Sequence, residues 1–152
     1  MSLRKMKWMM FLLGLFKIPL IGYVHPRLLF VDEKTVRVKI RLRRRTKNHL
    51  SSMYFGALAV GADIAGGIHV FYFSELAGKK VSFSFKSMKA DFLKRAESNV
   101  IFESSDGQII QEAILSSSQS GERVNSIVYV NALNTSNEIV ATFEMGVSIK
   151  VI

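Results

Sequence analysis

At 152 residues and 17.1 kDa, with 49% hydrophobic side chains and only 2 prolines, the chain is the size of one domain spanning 1–152. A mean hydropathy of +0.21 with 22% charged residues excludes a disordered chain, and zero cysteines exclude disulfide frameworks, thiolate zinc sites and Cys nucleophiles. A net charge of +9 and a pI near 10.0 favour polyanionic partners, whether nucleic acid, anionic lipid, an acidic carrier protein or a phosphorylated ligand, and say nothing about fold.

The chain opens on SLRKMKWMMFLLGLFK, a basic start and an apolar run from Trp8 to Phe16. Nine residues fall far short of the ~20 that span a bilayer. Lys17-Ile18-Pro19 stands where a small-x-small cleavage site would follow, so we expect no removable leader. Residues 2–16 read as an amphipathic helix ended by Pro19. Two roles fit it: packing on the body of the domain, or a peripheral membrane contact with Arg4, Lys5 and Lys7 facing lipid phosphates.

From Ile21 to Arg45 the period becomes two. Val36, Val38, Ile40 and Leu42 alternate with Arg37, Lys39, Arg41 and Arg43, a strand with one buried and one wet face. The preceding stretch, Arg27 to Asp32, connects through Asp32-Glu33-Lys34 and makes a hairpin with it. Between Met53 and Phe73 the only strongly polar side chains are Asp63 and His69, amid many Gly and Ala residues. A helix apolar all round is a buried one, and we expect it over 51–70, capped by Ser51 or Ser52 and weakened or ended at Gly66-Gly67. His69 in that run reads as a satisfied core residue.

The remainder is mostly strand. Val81, Phe83 and Phe85 alternate with serines in a segment extending to Phe92, and Val100 to Phe102 is a short strand. Asp106 to Ser118 reads as a helix or an irregular excursion. Val124–Leu133 and Ile139–Val151 are joined by the polar loop Asn134-Thr135-Ser136-Asn137. The expected architecture is α+β: about six mostly antiparallel strands, curved around one apolar helix, with an extra helix at the N-terminus.

No G-x-S-x-G, G-x-x-x-x-G-K-[ST], G-x-G-x-x-G or H-E-x-x-H occurs, and His25, His49 and His69 lack the acidic partners of a metal site, so no metal is expected. One segment stands out: Asn48-His49-Leu50-Ser51-Ser52-Met53-Tyr54-Phe55-Gly56-Ala57-Leu58, followed by Asp63 and Gly66-Gly67. It resembles the signature of hotdog-fold acyl-CoA thioesterases of the phenylacetyl-CoA type, in which an Asn is followed six residues later by His-Gly-Gly opening the central helix and then by an acidic residue. In that register Asn48 matches the Asn, Tyr54 stands at the His position, Phe55 and Gly56 at the two glycines, and Asp63 at the acid. The Asn-His-x-x-Ser-Met-Tyr-x-Gly-Ala-Leu form is similar to a poorly characterised bacterial branch of the superfamily. The resemblance covers nearly the whole chain in element order and residues 48–67 at the level of motif.

The residues argue in the same direction. Asp63 is a lone carboxylate in an apolar helix; burying it unpaired is costly, so it is raised in pKa, paired, or faces a cavity. Its alternative is a structural hydrogen bond. Gly56 lies in the first helical turn, where N–H groups lack intrahelical partners and can hold a developing oxyanion, unless close packing alone explains it. Asn48 offers a further donor. Seven residues put Gly56 and Asp63 on one helix face but about 10.5 Å apart, so one carbonyl reaches both only if two helices meet across a two-fold axis.

The resemblance implies the same: sites at the interface of a homodimer or dimer of dimers, acting on acyl-CoA or acyl-carrier thioesters in the cytoplasm, with coenzyme A as part of the substrate and no other cofactor. Arg44, Arg45 and Lys47, leading into Asn48, are placed to hold coenzyme A phosphates, with Lys89, Lys94 and Arg95 as a second cluster. Arg37, Lys39, Arg41 and Arg43 read as a solvated strand face. No nucleic-acid motif is present, and nucleic acid is not the expected partner. The alternative function, favoured by Tyr54 in place of His, is a non-catalytic module that binds acyl chains or acyl carrier protein.

Overall fold

A computed structural model describes residues 1–152. Two short helices, α1 (Leu3–Leu12) and α2 (Pro19–Val24), are linked by a π-helical turn, Leu13–Lys17, and lead into strands β1 (Arg27–Val31) and β2 (Val36–Ile40). Helix α3 (Phe55–Ala77) follows, then β3 (Val81–Phe92), β4 (Val100–Ser104), α4 (Gly107–Ser120), β5 (Val124–Leu133) and β6 (Ile139–Val151). The six strands form one antiparallel sheet in the order β1-β2-β4-β5-β6-β3. The sheet curves around the apolar α3, with the N-terminal helices and α4 beside it. This is the hotdog fold.

The alternating strands fold as their patterns require. Val36, Val38 and Ile40 are fully buried while Arg37 faces outward and pairs with Glu103 at 2.5 Å. The β5–β6 hairpin runs in register from Val124↔Ile149 to Ala132↔Ala141, so its inward residues, Val128, Val130, Phe143 and Met145, enter the core together.

Helix α3 departs from expectation at both ends. It begins at Phe55, not Ser51, because Ser52 is buried and bonded to Asn48 and Tyr54 takes the N-cap position without a side-chain hydrogen bond. It passes through Gly66-Gly67 and ends at Gly78, whose φ of +61° only glycine adopts freely. Of the internal glycines, Gly61 answers to packing, since a Cβ there would collide with the buried Phe102 ring, whereas one on Gly66 or Gly67 would lie in ordinary contact, 3.4–3.5 Å from the rings of Phe83 and Phe85. Helix α3 is long and apolar enough to cross a membrane, but most of it is buried inside the fold, as a core helix.

Pro19 starts a helix rather than ending one: at the first helical position its missing N–H is no loss. The expected helix over 2–16 is therefore α1 plus the π turn. That turn crosses α2 so closely that a Cβ on Gly22 would lie 2.6 Å from the Gly14 carbonyl oxygen. Met6 and Met10 anchor α1 in the core, and Lys5 pairs with Glu75 near the end of α3. The segment expected as helix or excursion at 106–118 is α4. Its start abuts the core His69, whose Nε2–H donates to the Asp32 carbonyl at 3.0 Å.

Candidate functional site

The loop before α3 is built by Asn48. Its carboxamide oxygen accepts from Leu50 N (2.9 Å), Ser52 N (3.1 Å) and Ser52 Oγ (3.2 Å), while its own N–H donates to Ser52 O at 2.8 Å. Tyr54 N–H donating to Thr46 O (2.8 Å) and Met53 N–H to Ala96 O (2.8 Å) close the loop on the body. Asn48 is thus a loop organiser through its oxygen, and its Nδ2 donates to no group of the chain.

At the start of α3 the Tyr54 carbonyl accepts from Ala57 N (2.9 Å) and Leu58 N (3.1 Å). The N–H groups of Phe55 and Gly56 have no acceptor and point out of the helix end, the positive end of its dipole. Tyr54 lies over this end: a Cβ on Gly56 would meet its ring at 2.5 Å. Close packing and a free N–H therefore coexist at Gly56. Tyr54 and Phe55, at the positions of the missing His-Gly pair, form a half-exposed aromatic platform, centroids 4.8 Å apart, continued by Phe92 at 6.1 Å from Phe55.

Asp63 lies two turns further along. It makes no hydrogen bond or ion pair and borders an apolar cavity of about 280 Å³. The cavity is walled by Met10 and Leu13 from the N-terminal segment, Phe71 from α3, and Phe83 and Phe85 from β3. Burial alone pushes the Asp63 carboxyl above the ordinary carboxylate range. A partly desolvated, unpaired carboxylate facing a partly open apolar pocket can take a proton from a water molecule or attack a carbonyl carbon.

None of the cavity's lining comes from residues 48–56. Within one chain the structure brings Asn48, Tyr54 and Gly56 together at the helix end and leaves Asp63 apart from them. An N-terminal helix packed near the mouth of an acyl channel was expected from the sequence, but not that Met9, Met10 and Leu13 would be the residues of its wall.

The basic residues are dispersed. Arg44, Lys47 and Arg95 are exposed. Arg45 donates to the Tyr23 carbonyl at 3.2 Å and lies 5.3 Å over the Tyr23 ring, which ties it to α2. Lys89 is exposed on β3 opposite Glu144, and Lys94 is paired with Glu138 at 2.8 Å.

A family model described as "Domain of unknown function (DUF4442)" matches residues 6–149. Among solved structures, a candidate thioesterase from Shewanella oneidensis superposes with a TM-score of 0.83 at 14% identity, over 99% of this chain and 100% of that one. A Pseudomonas aeruginosa protein of unknown function, described as a probable thioesterase, gives 0.81 at 19% identity over 100% and 97%. A thioesterase from Haemophilus influenzae gives 0.69 at 10% identity over 99% and 92%. At these identities the likeness is one of fold. No curated protein matches the chain in sequence.

Proposed function

The chain belongs to the family described as domain of unknown function DUF4442, and from that premise, on a fold shared with proteins described as thioesterases, we propose that it hydrolyses acyl-CoA or acyl-carrier thioesters. The observation that carries this is Asp63, an unpaired, partly desolvated carboxylate bordering an apolar cavity fit for an acyl chain.

In this reading Asp63 takes a proton from water as the water oxygen bonds to the thioester carbon. The resulting oxyanion is held by the Gly56 N–H, with Asn48 Nδ2 as a second donor. Collapse breaks the C–S bond; the thiolate leaves and takes the proton from Asp63. Attack by the carboxylate itself, through an anhydride that water then opens, uses the same geometry. The separation of Gly56 from Asp63 is met in a dimer, where the helix end of one copy faces the Asp63 cavity of the other. The free edge of β3, twelve residues long, supports such pairing. Arg44, Arg45, Lys47 and Lys89 would meet coenzyme A phosphates, and a cysteine-free chain acting on acyl-CoA suits the cytoplasm.

The second reading, a non-catalytic module binding acyl chains or acyl carrier protein, is favoured by the Tyr54-Phe55 platform over the helix end. An acyl-CoA panel with thiol-release detection separates them. Turnover of any member supports the enzyme; tight binding of acyl-CoA with no thiol released supports the module.

A further inference from the structure

The charge of this molecule is not spread evenly. Residues 1–62 hold 13 Lys and Arg against 2 Asp and Glu, a net +11, whereas the remaining 90 residues hold 8 against 10. The first 31 residues contain Arg4, Lys5, Lys7, Lys17 and Arg27 and no acid at all. This half of the chain also carries an apolar surface that the fold does not cover.

Helix α1 is apolar on two sides. Met6 and Met10 face the core, yet at 100° per residue the opposite side carries Trp8, Phe11, Leu12 and, through the π turn, Leu15. Trp8 is 62% exposed and Phe16 72%. The Trp8 and Phe11 rings stack at 5.4 Å, and Leu20 and Tyr23 of α2 extend the exposed apolar surface. Lys5, paired with Glu75, and Lys7 flank the outward stripe on either side, and Lys7 stands where a long cationic side chain reaches headgroup phosphates while its stem covers apolar surface. Arg45, held on Tyr23, adds a cation beside α2, and a groove of about 770 Å³ between α1, α2 and β1 is rimmed by Lys7, His25 and Arg27.

We infer that the outward face of residues 3–24 docks on the interface of an anionic lipid bilayer, with Trp8, Phe11, Leu15, Phe16 and Leu20 among the acyl chains and Lys7, Lys17 and Arg27 at the headgroups. Charge complementarity selects this occupant. A second copy set face to face on the same surface would bring like charges together, and a nucleic acid would leave the leucines in water. The inference does not rest on the Asp63 chemistry, although the opposite face of the same segment lines the Asp63 cavity.

The chain has one tryptophan, at position 8, so its tryptophan emission, excited at wavelengths the four tyrosines do not absorb, reports on this face alone. With full-length protein and vesicles of equal parts phosphatidylglycerol and phosphatidylcholine, Trp8 emission should shift to the blue, and less so as salt is raised. K7E combined with K17E should lower partitioning by about tenfold or more, given roughly 1 kcal/mol per cation near an anionic surface. L15S combined with F16S, both exposed, should lower it comparably while the far-UV circular dichroism stays unchanged. Three results would each overturn the inference. Trp8 emission could stand unmoved by anionic vesicles. It could shift equally with duplex DNA. Or it could be blue already in buffer and turn red on dilution, which would mean that a second copy covers the face.

Discussion

Asp63 and His69 sit six residues apart on α3 and titrate in opposite senses. Burial raises the Asp63 carboxyl above its ordinary value of 3.8, so the folded chain favours its protonated form more than the unfolded chain does. The stability this group contributes is full below the unfolded value and is lost as pH rises through the folded one. At neutral pH the charge works against folding, and D63N is expected to melt at a higher temperature than the wild type at pH 7, the difference shrinking as pH approaches 3.8. Thermal melts of the two proteins across that range measure it. His69 moves the other way. Burial lowers its pKa below 6.5, against the opposing pull of the Asp32 carbonyl and of the Asp32 and Asp106 charges. The neutral ring stabilises the fold above the unfolded value, and that contribution disappears as pH falls. Urea midpoints should drop on acidification from neutral pH to about pH 5, and the drop should be smaller in H69Q.

At the scale of elements, the N-terminal segment, α3 and β3 wall the Asp63 cavity. Leu13 is half-buried and lines it, so L13F reduces the room for an acyl chain. Thiol-release assays over a series of acyl-CoA lengths should move toward shorter chains, with the preference unmoved if the segment plays no part. Much of this was legible in the sequence. The alternation of Ala141 through Val147 and of Val36 through Ile40 specified buried and exposed faces without any need for distant partners, but toward the ends of β6 it fails: Ile139 is exposed while Val140 and Ser148 are buried. The ends of α3 were not legible, because Gly66-Gly67 signals a stop locally, yet the helix carries both glycines buried beside Phe83 and Phe85 and runs on to Ala77. Pro19 was ambiguous for a similar reason: the same ring that blocks a helix interior suits a helix start, and only the crossing of Gly14 with Gly22 decides between them. Asp63 was found as an isolated charge in an apolar run. Which residues walled it could not be found, since that depends on contacts between α3 and residues some fifty positions earlier.

For the molecule as a whole, the free N–H groups of Phe55 and Gly56 and the carboxylate of Asp63 lie on one helix but not in one recess, so the proposed site requires two copies. Sedimentation at micromolar concentration should return a dimer or larger; a monomer with full thioesterase activity would remove the two-helix arrangement. In the proposed assembly the long β3 edge would serve pairing and the basic N-terminal part an anionic partner.

The most direct test of the central claim is thiol release from acyl-CoA by wild-type protein and D63N side by side, with oligomeric state and circular dichroism matched. Asparagine keeps the shape and removes the ionisable group. A positioned base is worth roughly 100-fold or more, so we expect D63N to lose at least about that much turnover while remaining folded. A D63N protein that releases thiol as fast as the wild type would contradict the assignment of Asp63, and with it the proposed site.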